Sequence, residues 1–256
     1  MTRFDVRLAA TWCLLAAATL AGGCTPAPPP AIQAPPPAAA APSATAPEVV
    51  TPSAVAPASP LPVDPADAEP FSLEEGFSLL SRADFEVFGA EPETWSATDE
   101  GVRCTGKPRG YLYTRTPYSN FTLRLQYRFD RPAKLPDEAK FKGNTGFLMY
   151  ITGEHKLWPL SMEVQGKHVQ MAALKENGGA QPAVVQDDDA ARQSARRPVG
   201  HWNTLEVVSR DGALSASLNG TPISRSEPNF LSEGPIGIQA EDHPFEVRRM
   251  RVRIDE

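Results

Sequence analysis

The chain has 256 residues, 41% of them hydrophobic and 22% charged, with a formal net charge of −6. This mildly acidic balance argues against nucleic acid or an anionic membrane surface as a partner and suits a neutral ligand better. Two of the three cysteines, Cys13 and Cys24, fall in the first 24 residues, so Cys104 has no partner for a disulfide.

Residues 1–23 carry Arg3 and Arg7, then an apolar run from Leu8 to Leu20 that is too short to span a bilayer, and read as a secretion signal. Ala21-Gly22-Gly23 before Cys24 resembles a bacterial lipobox, although Leu20 stands four residues before the cysteine and not the usual three. The resemblance implies export and a lipid anchor at Cys24, with Thr25 favouring the outer membrane and periplasm over inner-membrane retention. The alternative is an ordinary signal peptide cut near Gly23. Losing Arg3, Asp5 and Arg7 with the leader takes the charge from −6 to −7.

From Cys24 to residue 70 the chain is low in complexity. Its 46 residues from Thr25 hold 15 prolines and 14 alanines, without Gly, Lys, Arg or any aromatic, so the segment cannot bury a core and is expected to be a disordered, extended tether. At about 3.1 Å per residue it could reach up to about 140 Å. The remainder, 71–256, is the size of one domain.

Strand signals dominate that domain. Val102-Arg103-Cys104 and Gly110-Tyr111-Leu112-Tyr113-Thr114 are short strands separated by Gly106 and Pro108. Phe121 to Phe129 alternates five apolar with four polar residues, the pattern of a strand with one face on a core. Phe147 to Ile151 is apolar and aromatic, entered through Gly143-Asn144-Thr145-Gly146, and Trp158 to Gln165 follows it. There, period-2 alternation sends Met162 and Val164 to one face and Glu163 and Gln165 together to the other.

A further strand is expected over Val169–Leu174, then a long polar loop over Lys175–Pro198. That loop contains Asp187-Asp188-Asp189, which lacks calcium-loop spacing and reads as a solvated stretch. Trp202 to Val208, Ala213 to Leu218 and a strand at Ile223 are joined by Asp211-Gly212 and Asn219-Gly220, both strong hairpin turns. Gly234 to Gln239 places two Ile inward and Gln239 outward. In the last strand, Phe245 and Val247 keep one phase and Met250, Val252 and Ile254 the other, which calls for a bulge near Arg248-Arg249. With no convincing helix, these elements predict an all-β fold, an antiparallel two-sheet sandwich or jelly roll.

No phosphate loop, nucleophile elbow, paired-cysteine zinc site or His-Glu-x-x-His motif occurs. Carboxylates, amides and aromatics remain, the residue types of a sugar site. The order of Gly110–Thr114, Phe121–Phe129, Gly143–Phe147, Pro159 with Glu163 and Gln165, Gly200-His201-Trp202-Asn203, Leu218-Asn219-Gly220 and Gly234–Gln239 resembles the 3-keto-disaccharide hydrolase domain family over nearly all of 71–256. Thr145 stands where the family commonly has Ser.

The resemblance implies a concanavalin A-like jelly roll and cleavage of glycosides oxidised at carbon 3. Its alternative is a non-catalytic, lectin-like carbohydrate-binding lipoprotein on the same scaffold. Glu163 and Glu241 are the candidate catalytic carboxylates, set against exposed surface charges as the bland reading. Asn144, Gln165 and Gln239 are candidate hydroxyl partners, Tyr150 and Trp158 candidate stacking aromatics, and His243 a candidate acid or base. The expected partner is a carbohydrate. No residue pattern calls for a cofactor or a metal ion, a divalent cation is left open, and the oligomeric state is not encoded.

Overall fold

The computed structural model describes residues 70–181 and 183–256. The leader, Cys24 and the proline–alanine tether expected before the domain lie outside the described residues, Pro70 excepted. Fifteen strands follow in chain order: β1 Ser78–Leu79, β2 Phe85–Phe88, β3 Trp95–Thr98, β4 Gly101–Cys104, β5 Gly110–Thr114, β6 Phe121–Phe129, β7 Gly146–Thr152 and β8 Leu160–Gln165. Then come β9 Leu174–Asn177, β10 Val185–Asp187, helix α1 Asp189–Ala195, β11 Asn203–Arg210, β12 Ala213–Leu218, β13 Thr221–Ser226, β14 Gly237–Ala240 and β15 Phe245–Ile254.

Nine strands make one sheet in the order β10-β13-β12-β11-β6-β15-β4-β3, with β1 also on β15; the other six make a second sheet, β2-β5-β14-β7-β8-β9. The two sheets share one apolar core. Phe121, Leu123, Leu125, Tyr127 and Phe129 present the inner face of β6, each 2% exposed or less, and Phe147, Met149, Met162 and Val164 answer from the second sheet. Burying each such side chain contributes about 1.5–3 kcal/mol. The expected antiparallel sandwich is the observed fold.

Local turn chemistry explains much of the register. Asp211 and Gly212 (φ 47° and 81°) and Asn219 and Gly220 (φ 50° and 81°) take the two left-handed conformations that a two-residue hairpin needs. The expected bulge is present in β15: Arg249 has φ 53°, and pairing with β6 shifts between Arg248 and Arg251.

Two expectations are corrected. No strand runs over Val169–Leu174. The chain makes a 3-10 turn at His168–Gln170 and turns back through Ala172 (φ 65°), so that the Ala172 N–H donates to Gln165 O and the Gln165 N–H to Ala173 O. The apolar run there fills a buried tight turn, and strand pairing starts only at Leu174. Nor is Lys175–Pro198 a structureless loop, because it contains most of β9 and all of β10 and α1. Asp188 caps the helix by accepting from the Ala191 N–H at 2.9 Å. Asp187 and Asp189 bind Arg192, which is 3% exposed and also donates to Met171 O at 2.8 Å. The aspartate triplet therefore serves a helix start and one buried cation.

Candidate functional site

The outer face of the six-stranded sheet collects the polar side chains. In β8, Met162 and Val164 enter the core while Ser161, Glu163 and Gln165 point the other way; in β14, Ile238 and Ala240 point inward and Gln239 outward. Pairing sets Gln165 opposite Gly146, Glu163 opposite Leu148, and Gln239 opposite Tyr111 of β5. Gly146 lies between them and must be glycine for reasons of space. A Cβ there would fall 2.1 Å from Gln239 Oε1 and 2.2 Å from Glu163 Oε1, so both oxygens converge over its bare Cα. Gln239 Oε1 is buried and has no hydrogen-bond partner in the protein.

Asn144 and Glu241 complete the cluster, one from the segment just before β7 and the other from the segment just after β14. The two residues form an isolated antiparallel bridge, and Asn144 Nδ2 donates to Glu241 Oε2 at 2.6 Å. Thr145 Oγ1 donates to Gln239 O at 2.7 Å and ties the two segments together. Gln165 Oε1 accepts the Lys167 N–H at 2.8 Å, which fixes its amide and leaves the Nε2 hydrogens for another acceptor.

Electrostatics single out Glu163. At 8% exposure it is desolvated, and this burial, reinforced by the charge of Glu241 and partly offset by Lys175, pushes its carboxyl up to about 7. Burial raises Glu241 as well, against the pull of Arg109, Asn144 and Lys167. The Gln239 oxygen beside it over Gly146 has no donor, so the geometry suits a carboxyl that keeps its proton up to about neutral pH.

Five of the sequence-identified residues, Asn144, Glu163, Gln165, Gln239 and Glu241, are thus brought together. Three others are not. Tyr150 is no stacking platform: its φ of 61° marks a bulge that turns the ring into the core, where its hydroxyl bonds Ser209. Trp158 is exposed in the β7–β8 connection, and its ring is in contact with none of the other aromatic rings among the described residues. His243 meets Phe141 edge-on at 5.7 Å, and its Nδ1 is buried without a hydrogen-bond partner among the described residues, the carboxylates included.

Several neighbours were not singled out by sequence. Lys175 pairs opposite Glu163 in β9, and Arg109 binds Asp242 beside Glu241. Tyr111, Tyr113, Phe88 and His155 form an aromatic group on the same outer face, with His155 4.5 Å from Tyr113. Tyr111 and Tyr113 could have been found, since period 2 puts both opposite Leu112. His155 lies in a connection and carries no periodic signal. Among the described residues, no group of three or more His, Cys, Asp or Glu is placed to hold a metal ion.

Residues 82–253 match the family described as the 3-keto-alpha-glucoside-1,2-lyase-like domain. The chain belongs to this family. The matched segment of this 3-keto-alpha-glucoside-1,2-lyase-like domain contains the whole carboxylate–amide cluster. A solved structure from Parabacteroides distasonis ATCC 8503, provisionally assigned as a glycosyl hydrolase, is 17% identical, covers 71% of this chain and 95% of its own, and has a TM-score of 0.51. That likeness is one of fold. A second such protein from the same organism is 20% identical, with coverage of 68% and 94% and a TM-score of 0.49. Carbohydrate-binding module CBM66 from Bacillus subtilis is 12% identical, with coverage of 69% and 99% and a TM-score of 0.47. No curated protein sequence matches the chain.

Proposed function

We propose that the protein is an exported, Cys24-anchored enzyme that cleaves 3-keto-glycosides by elimination across carbons 1 and 2, with Glu163 as the base. The observation that carries this reading is the buried Glu163 carboxyl converging with Gln239 over Gly146, poised near pH 7. A ketone at carbon 3 acidifies the hydrogen on carbon 2, so a carboxylate of raised basicity can remove it, and the electron pair then expels the oxygen on carbon 1. Water adds to the resulting enone afterwards, and the net result is glycoside cleavage. The family description, which names a 1,2-lyase, supports the same bond change.

Each neighbour has a part. The Glu241 charge raises the proton affinity of Glu163, and Lys175 limits that rise. The Nε2 groups of Gln165 and Gln239 hold the keto and hydroxyl oxygens, where negative charge builds as the proton leaves. Asn144 fixes Glu241.

The test is to incubate the protein with a 3-keto-disaccharide and with its unoxidised parent in deuterated water. Release of monosaccharide from the keto substrate alone, with transient enone absorbance, is expected. Equal turnover of the parent overturns the elimination reading; sugar binding without turnover returns the protein to the lectin class.

A further inference from the structure

Elimination moves two protons, and Glu163 accounts for one. The departing oxygen needs a donor, and Glu241, whose Oε2 accepts from Asn144, lies on the side of Glu163, close enough for its charge to raise that carboxyl. Across Gln239 from Glu163 lies another ionisable group. Tyr111 is the cross-strand neighbour of Gln239, and its hydroxyl is 2.7 Å from His155 Nδ1. Strands β5 and β7 flank β14, so Tyr111 and Gly146 stand two strand spacings apart, roughly 10 Å. Glu163 stands one strand further, on β8, but its Oε1 reaches back over Gly146, so the carboxyl and His155, held by Tyr111 on β5, lie on the two sides of Gln239 on one sheet face.

The aromatic wall is built to hold that imidazole. Its ring lies 6.0 Å from Tyr111 at 23°, 4.5 Å from Tyr113 and 5.6 Å from Phe88. Tyr111 occupies Nδ1, which leaves Nε2 as the nitrogen open to a ligand. Burial holds the Tyr111 hydroxyl well above the ordinary tyrosine range, so it orients the imidazole and is not itself the proton source.

We infer that His155 is the general acid that protonates the leaving oxygen, with Tyr111 as its positioning residue and the surrounding aromatic wall as the subsite for the departing sugar or alcohol. This inference rests on the elimination reading of the same site. In the step, the bond between carbon 2 and its hydrogen breaks and the proton goes to Glu163. That electron pair becomes the double bond between carbons 1 and 2, while the bond from carbon 1 to oxygen breaks with its pair on oxygen. The oxygen takes the proton from His155 Nε2, and solvent exchange returns one proton from Glu163 and supplies one to His155.

A general acid matters most when the leaving group is poor. The experiment compares full-length wild type, His155→Ala and His155→Asn on a 3-keto-disaccharide and on 4-nitrophenyl 3-keto-glucoside, whose nitrophenolate departs without help. His155→Asn keeps a side-chain acceptor, the amide oxygen, for the Tyr111 hydroxyl and removes the Nε2 donor, which guards against a variant that merely loses its fold. Both variants should lose about 10²–10⁴-fold in kcat on the disaccharide and less than about 5-fold on the nitrophenyl substrate. Tyr111→Phe should show a smaller loss with the same leaving-group bias. Equal losses on both substrates, or none on either, overturn the inference while the elimination reading stands. A wild type inactive on both substrates overturns the two together.

Discussion

Replacing Glu163 by Gln should make the protein more stable and less active at once, and the gain in stability should depend on pH in a defined direction. In the fold the carboxyl holds its proton up to about pH 7, whereas an ordinary glutamate releases it near 4.5. A group whose folded pKa is raised contributes fully below the unfolded value, and that contribution is lost as pH rises through the folded value. The window is therefore pH 4.5 to about 7. At 1.36 kcal/mol per pH unit, the loss by pH 8 is roughly 3 kcal/mol. Glutamine keeps the shape but has no charge to bury. For a domain of this size 1 kcal/mol moves Tm by about 2–4 °C, so Glu163→Gln should melt roughly 6–12 °C above wild type at pH 8 and within about 2 °C of it at pH 4. Scanning calorimetry at the two pH values reads the difference directly. In parallel, kcat on a 3-keto-glycoside should fall about 10²–10⁴-fold. A variant no more stable than wild type at pH 8 would refute the buried, proton-retaining carboxyl from which the catalytic assignment is built.

Wild-type kcat/KM should rise with pH through about 7, as Glu163 ionises; Lys175→Met, which removes the cation that lowers its pKa, should move that limb to higher pH. Gly146→Ala should leave the melting curve nearly unchanged, because the clashing atoms are the ends of two side chains, yet abolish turnover by driving Gln239 and Glu163 apart. Tyr150→Phe should cost about 1 kcal/mol through the lost Ser209 hydrogen bond and leave sugar affinity unaltered, as isothermal titration can check. Cys24→Ser should release the protein from the membrane fraction, and an unchanged partition would refute the anchor.

Much of the fold is local and so was legible along the chain. The alternation in Phe121–Phe129 marks which face meets the core, and the Asp-Gly and Asn-Gly pairs specify their hairpins because few other residues tolerate two consecutive positive φ values. The phase change in the last strand announces its bulge. The same period of two explains why Glu163, Gln165 and Gln239 could be assigned to outward faces before any pairing was known. Where the chain departs from regular geometry the pattern misleads. Tyr150 sits at a bulge that reverses its face, and the 169–174 run, apolar like a strand, folds as a turn.

The site itself needed the tertiary structure. Asn144 meets Glu241 across 97 residues of sequence, and Gln239 meets Glu163 only because Gly146 lies between their strands. No periodicity encodes such pairings, since they depend on which strands become neighbours. Nor is proton affinity a property of a glutamate in a sequence. It follows from how much water the fold removes and which charges it leaves nearby: residue type alone makes Glu163 an ordinary carboxylate, and burial beside Glu241 makes it a group that titrates at neutral pH.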